Sequence, residues 1–259
     1  MKNIAVKIMY DGCRYHGWQV QKNGITVQER IESVLSELTG EKISVCGCSR
    51  TDSGVHALEY VFNFKSDTKI PAERLPYAIN THLGDDNIAA LEAKYVSEDF
   101  NARFSSMGKR YVYKIWNSSI QNPFTSNYSW QVPYKLNIDA MKNAAEKFCG
   151  EHDFSAFMAA GCSQNTTVRE IRDCVVLPSR EWHEQIEIEG EANAFLYNMV
   201  RIIAGTLVEV GAGKISPEKI GRIIESCCRK DAGMTAPPQG LFLKKVFYNP
   251  EDLDWKTKG

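Results

Sequence analysis

The chain has 259 residues, 43% hydrophobic and 24% charged, the balance of a globular protein long enough to bury a core without disulfide or metal staples, as one large domain or two ordinary ones. Its net charge of −1 excludes coating of nucleic acid by bulk charge, but not a local basic groove. The opening MKNIAVKIMYDG has no uninterrupted apolar core or cleavage site of a secretory leader, and no apolar run reaches spanning length, so a cytoplasmic protein without a membrane is expected.

In chain order, Ile4 to Tyr10 alternates and predicts a strand. Thr26 to Leu38 predicts a helix, with Thr26 as N-cap, Glu29 at capping-box spacing, and Val27, Ile31, Val34, Leu35 and Leu38 on one face. Gly40 ends it. Lys42 to Cys48 and Val55 to Phe64 predict strands around a tight CSRTDSGVHA loop, Pro71 to Thr81 a helix, and Asn87 to Val96 a strand. The order βαββαβ is the ferredoxin-like one, an antiparallel sheet with helices on one face.

The order then repeats. Lys109 to Trp116, Val168 to Leu177, Trp182 to Glu189 and Leu241 to Tyr248 predict strands. Asn137 to Cys149, Phe195 to Val210 and Pro217 to Cys227 predict helices. The expectation is an α+β chain of two ferredoxin-like halves, 1–105 and 106–259, with antiparallel sheets side by side, a cleft between them and a break near Ser105 to Gly108.

The eight cysteines fit no zinc spacing and read as reduced, mostly buried thiols, with a redox pair at Cys46 and Cys48 as the alternative. No zinc site is expected from this spacing. Residues 101–116 carry Arg103, Lys109, Arg110 and Lys114 with no acid, whereas 181–191 carry five glutamates. A basic stretch in neutral surroundings is where a phosphate backbone would bind.

Arg201 sits in the apolar FLYNMVRIIAGTLVEV. Either it reaches the surface from a helix edge, or it meets a carboxylate distant in sequence, since no acid lies at i±3 or i±4. Asp52 is the best candidate for that carboxylate, but an Asx turn would also account for it. Tyr111 and Tyr113 share a strand face, as a base-stacking platform beside Lys109 and Arg110 or as core. His152 and Asp153 read as a capped corner rather than a catalytic pair.

Taken together, YDGCRYHGWQVQ, TVQERIESVL, CSRTDSGVHA, FNARFSSMGKRYVYKI, GEHDFSAF, ANAFLYNMVRIIAGTLVEVG and AGMTAPPQGLFL occur in an order that resembles the tRNA pseudouridine synthase A family from end to end. Ser49 and Ser53 depart from that family's usual glycine and alanine. The resemblance implies isomerisation of uridine to pseudouridine in the anticodon stem-loop of tRNA, at positions 38 to 40, without cofactor or metal, by a homodimer. It implies Asp52 as nucleophile, Arg201 as its ionic partner and Tyr111 stacked on the extruded base. Arg50 would contact the RNA or help displace the target base, with Arg14, Lys109 and Arg110 on the backbone. The competing expectation is a non-catalytic RNA-binding or RNA-folding protein, in which the strand aromatics alone matter.

Overall fold

A computed structural model of the chain describes residues 1–161 and 166–255. The described residues form a mixed α+β protein with mostly antiparallel strands and five α-helices. The chain divides into two compact units, Met1–Gly108 with the C-terminal strand from Leu243 onward, and Lys109–Phe242.

In the first unit, β1 (Lys2–Tyr10) lies between β4 (Ile88–Val96) and β3 (His56–Ser66), antiparallel to both. A two-residue β2 (Cys46–Gly47) pairs with β3, and β10 (Leu241–Tyr248) is hydrogen-bonded to β3 as well. Chain order alone assigns β10 to the second half. Its bonding to β3 is what carries the chain from Leu243 onward back to the first unit. β1 buries Ile4, Val6 and Ile8, and Ala5 between them as well, as a strand flanked on both sides does. Helix α1 (Val27–Thr39) buries Val27, Ile31, Val34 and Leu35.

The helix signals act as their chemistry dictates. Thr26 Oγ1 accepts the Glu29 N–H at 3.3 Å, and Gly40 closes the helix at φ +70, a left-handed conformation that suits glycine. Thr26→Ala is expected to lower stability by about 1 kcal/mol, measured by urea unfolding, without changing the denaturant slope.

Two expected elements of the first unit differ. The Lys42 to Cys48 strand shrinks to β2, because helix side chains take the amides that a neighbouring strand would use. Glu32 Oε1 accepts the Val45 N–H at 3.0 Å, and Ser36 Oγ accepts that of Ile43 at 3.1 Å. The Pro71 to Thr81 helix is split into a 3-10 turn, Ala72–Arg74, and α2 (Leu75–Leu83), which starts where Pro76 needs no N–H partner.

In the second unit, β5 (Ser106–Trp116, from Lys109 on), β9 (Gln185–Ala192), β8 (Val168–Pro178) and β7 (Gly150–Asp153) form an antiparallel sheet in that order. β6 (Trp130–Gln131) runs parallel to β5. The expected Asn137 to Cys149 helix ends early. Asn137 caps α3 (Ile138–Ala145), the chain tightens into a 3-10 turn, and residues 150–153 pair as β7 rather than forming a plain corner. α4 runs Met199–Gly211 and α5 Lys219–Ser226. α4 starts later than Phe195 because Asn198 takes a left-handed φ of +59, which breaks the helix before Met199.

Candidate active site

Within the first unit the site is a loop held by another loop. Asp52 O accepts the Val55 N–H at 3.1 Å, closing a four-residue turn whose third position, Gly54, has φ +77. The Asp52 side chain is half-buried, and Thr51 before it is buried. The segment after β1 holds this turn from several directions. Tyr15 O accepts from Gly54 N at 3.4 Å and from Ser53 Oγ at 3.2 Å. Trp18 N donates to Thr51 O at 3.2 Å, and the Tyr10 and Thr51 hydroxyls share a 2.8 Å bond. Ser53, one of the two departures from the family pattern, is thereby a tie between the two loops.

Close approach of the two backbones requires glycine. A Cβ on Gly17 would lie 2.4 Å from Thr51 O, and one on Gly12 2.0 Å from Val55 O. Trp18 stacks on Tyr60 at 4.0 Å between ring centroids, and the Tyr60 hydroxyl donates to Ser49 O, fixing the other departure through its backbone.

His56, 1% exposed, places Nδ1 3.1 Å from the Gly12 amide nitrogen and 3.1 Å from Asp11 Oδ1. Asp11 also accepts the Cys13 N–H at 2.9 Å. Asp11, Cys13 and His56 thus bring one donor atom each to within 4.8 Å of one another, a grouping that spacing along the chain did not reveal. Its polar atoms tie the turn together. Partial desolvation, then the Asp11 hydrogen bond and charge, pushes the exposed Cys13 thiol up to about 11, so it stays protonated.

Seven cysteines are described and all are free thiols, Cys46 and Cys48 included; Cys162 lies outside the described residues. Only Cys48 and Cys174 of the seven are buried, so the expectation of mostly buried thiols is corrected.

Within the second unit, Arg201 is half-buried on α4. Its Nε donates to Ala236 O and its NH1 to Asn198 Oδ1, both at 2.8 Å. The Ala236 N–H returns to Arg201 O at 3.0 Å, so the segment TAPPQG fixes where this guanidinium lies. Asn198, at i−3, supplies an uncharged acceptor on the helix itself.

Tyr111 and Tyr113 do share a face, and both point inward. Tyr113 is 0% exposed, its hydroxyl donates to Pro237 O at 2.7 Å, and burial pushes its ionisation far up. The RNA-contact role expected for Tyr113 is corrected: it is a core residue that anchors the carbonyl next to the one Arg201 grips. Tyr111 is 6% exposed and packs edge-on to Phe195 at 5.1 Å.

The basic stretch is also altered by folding. β5 and β9 place Arg110 opposite Glu191, Val112 opposite Glu189 and Lys114 opposite Glu187. Arg110 NH2 lies 2.6 Å from Glu191 Oε2, and its Nε donates to the same oxygen. Arg110 is thereby paired with Glu191 across the β5–β9 sheet and is less available to a phosphate than an exposed arginine. In the first unit Arg14 and Arg50 are exposed, and among the described residues neither makes an ion pair.

His152 Nε2 lies 3.1 Å from Cys149 O, while Asp153 accepts the Ser155 N–H at 2.9 Å and is held below the usual carboxylate range chiefly by the Ser155 hydroxyl. Both lie in β7, so the corner expected from sequence is corrected to a strand end, with Asp153 bonded to Ser155 just beyond it.

A family model described as tRNA pseudouridine synthase matches residues 6–105 and 144–249. The chain is 51% identical over 248 residues to a tRNA pseudouridine synthase A of Thermoanaerobacter sp. (strain X514), covering 96% of this chain and 100% of that protein. Proteins of the same name from Acetivibrio thermocellus and Clostridium acetobutylicum are 49% and 45% identical, again over 96% of this chain and 100% of theirs.

Proposed function

The chain belongs to the tRNA pseudouridine synthase family, an isomerase converting uridine to pseudouridine in tRNA, and on that premise we propose that Asp52 is its nucleophile. The observation that carries this reading is the loop itself. Glycines at 12, 17 and 54 let two backbones close around a half-buried carboxylate in the matched region, beside two exposed arginines. A bland surface turn needs no such clasp.

The reaction breaks the C1′–N1 bond, turns the uracil and joins C1′ to C5, so the hydrogen on C5 leaves as a proton. A carboxylate that forms a covalent intermediate divides this into two easier steps. Arg201 is the cation that keeps the carboxylate ionised and aimed, since an opposite charge nearby lowers a carboxylate pKa by roughly one to three units. Tyr111, on strand β5, is the residue proposed to receive the extruded base, at the edge that its 6% exposure and its packing on Phe195 leave open. Extrusion costs about a few kcal/mol of lost stacking, which contacts to the RNA backbone offset.

Arg14 and Arg50 are the backbone contacts the geometry favours, with Lys109 as a third. Arg14→Ala and Arg50→Ala are each expected to reduce the salt dependence of tRNA binding by about one unit of slope, whereas Arg110→Ala leaves it near that of the unaltered protein. Filter binding at several salt concentrations reads this directly.

The strand order of the first unit, β4-β1-β3 with β2 on β3, supports a ferredoxin-like half. The same reading makes the protein a cytoplasmic homodimer acting on uridines 38 to 40 of the anticodon stem-loop. No helix among the described residues is long and apolar enough to cross a membrane. The test of the activity is tritium release from tRNA labelled at uracil C5. Release by the protein supports the isomerase; intact tRNA binding with no release from any tRNA would return the chain to the class of non-catalytic RNA binders.

A further inference from the structure

The loop between β5 and α3 surrounds a cavity of about 170 Å³ that lies wholly in the second unit. Trp116, Gln121, Asn122, Thr125, Trp130 and Gln131 contribute to its wall. The lining is made of amides, hydroxyls and two indoles, with no charged side chain among the described residues.

Several polar atoms of the wall already have partners. Trp116 Nε1 donates to Ile120 O at 2.8 Å, and Ser129 Oγ donates to Thr125 O at 2.8 Å. Gln131 Nε2 donates to Ser118 O at 3.2 Å, and Asn122 Oδ1 accepts the Phe124 N–H at 2.9 Å. These bonds occupy the donor end of Gln131 and the acceptor end of Asn122. They leave the Gln131 carbonyl oxygen as an acceptor and the Asn122 amide nitrogen as a donor. Thr125 is 8% exposed, and its Oγ1 is buried with no hydrogen-bond partner among the described residues. A buried hydroxyl is ordinarily paired, so this one points to a missing polar partner in the cavity.

The chemistry of the wall narrows that partner. Without cations it does not suit a phosphate, and without carboxylate, imidazole or thiolate it does not suit a metal ion. The volume is below the roughly 300 Å³ at which pockets for drug-sized ligands begin, and suits one ring system rather than a whole nucleotide. A neutral ring with donors and acceptors on its edge is a nucleobase. Amide side chains match such edges, and indole faces stack on them.

We propose that this cavity receives one unstacked nucleobase of the bound tRNA, other than the uridine that reacts. The proposal rests on tRNA being the substrate. β6, which carries Trp130, pairs with β5, the strand that carries Tyr111, so the base would be held on the same rigid element as the reaction. Its contribution is to recognition rather than to chemistry.

Thr125→Val removes the hydroxyl at nearly constant shape, and Gln121→Ala trims an exposed amide that the fold does not need, so the second variant remains informative if the first does not fold. Both are assayed by tritium release from labelled tRNA transcripts. Bound tRNA is also probed with dimethyl sulfate and carbodiimide, which report on base edges. The double variant is expected to raise KM for tRNA about tenfold at unchanged kcat, as the loss of one or two hydrogen bonds requires. One nucleotide outside the reacting uridine is expected to be protected by the unaltered protein and exposed with the variant. Unchanged KM and an unchanged protection pattern, with the unaltered protein active, overturn this proposal alone. Absent release and absent tRNA binding by the unaltered protein would instead defeat the substrate reading. Ile120 and Phe124 on the same loop are 77% and 79% exposed, so the oligomeric state is followed by sedimentation. A change of oligomer with unaltered base protection would assign the loop to a contact between copies of the chain and overturn the proposal.

Discussion

Asp52→Asn is expected to abolish tritium release from C5-labelled tRNA, by about 10⁴-fold or more, the scale of removing a carboxylate on which a covalent mechanism depends. Folding should be kept. The turn is closed by the backbone carbonyl of residue 52 accepting from Val55 N, and asparagine retains that carbonyl and nearly the same volume. Binding of tRNA should change by no more than a few-fold, because the phosphate contacts are made by other residues and a neutral amide repels phosphate less than a carboxylate does. The measurement is single-turnover release with enzyme in excess, together with a urea unfolding curve. Release within tenfold of the unaltered protein would remove Asp52 from the chemistry. Loss of release together with loss of folding would mean that the carboxylate is part of the clasp.

Gly17→Ala is expected to have the largest effect on the loop without touching the carboxylate. Its φ of +82 is strained for a residue with a side chain, and the added Cβ would lie 2.4 Å from the backbone oxygen of Thr51. Backbone cannot rotate away as a side chain can, so the two loops must separate. The Trp18 to Thr51 bond and the Gly17 to Val27 bond at the start of α1 would be strained together. A loss of about 2–4 kcal/mol follows, read as a lower urea midpoint, with kcat falling further than KM rises as Asp52 loses its position. Gly213→Ala is the control. It has φ +74 with nothing within 4 Å, so it should cost only about 1 kcal/mol and leave kcat unchanged.

What could be read from the sequence was what depends on near neighbours. Helix α1 was legible because its cap, its apolar stripe and its terminal glycine lie within fifteen residues of each other. The Asp153 to Ser155 bond was legible for the same reason, its two residues being neighbours but one. β7 was not, since four residues carry no usable period and their pairing partner, β8, comes later in the chain. The shortening of the strand before CSRTDSGVHA was hidden because it is caused by Glu32 and Ser36, side chains on a helix already passed.

The site shows the same limit. Alternation placed Tyr111 and Tyr113 on one face but could not say that this face turns inward, nor that the Pro237 carbonyl waits for the Tyr113 hydroxyl. Arg110 looked like a free phosphate ligand because its partner, Glu191, is 81 residues away. The grouping of Asp11 and Cys13 with His56 is non-local in the same sense. Asp52 was ambiguous from local chemistry, because a turn aspartate and a nucleophile have the same neighbours. The ordered blocks around it gave it a role, and the structure adds that the turn is clasped by glycines at 12 and 17.

The central claim is the formation of pseudouridine, and a nucleotide-resolution map of pseudouridine in tRNA tests it most directly. Unmodified tRNA transcripts are incubated with and without the protein, treated with a carbodiimide that marks pseudouridine, and read by reverse transcription. New marks are expected at uridines 38 to 40 with the unaltered protein and none with Asp52→Asn. Transcripts bound by the protein yet free of new marks at every uridine would contradict that claim.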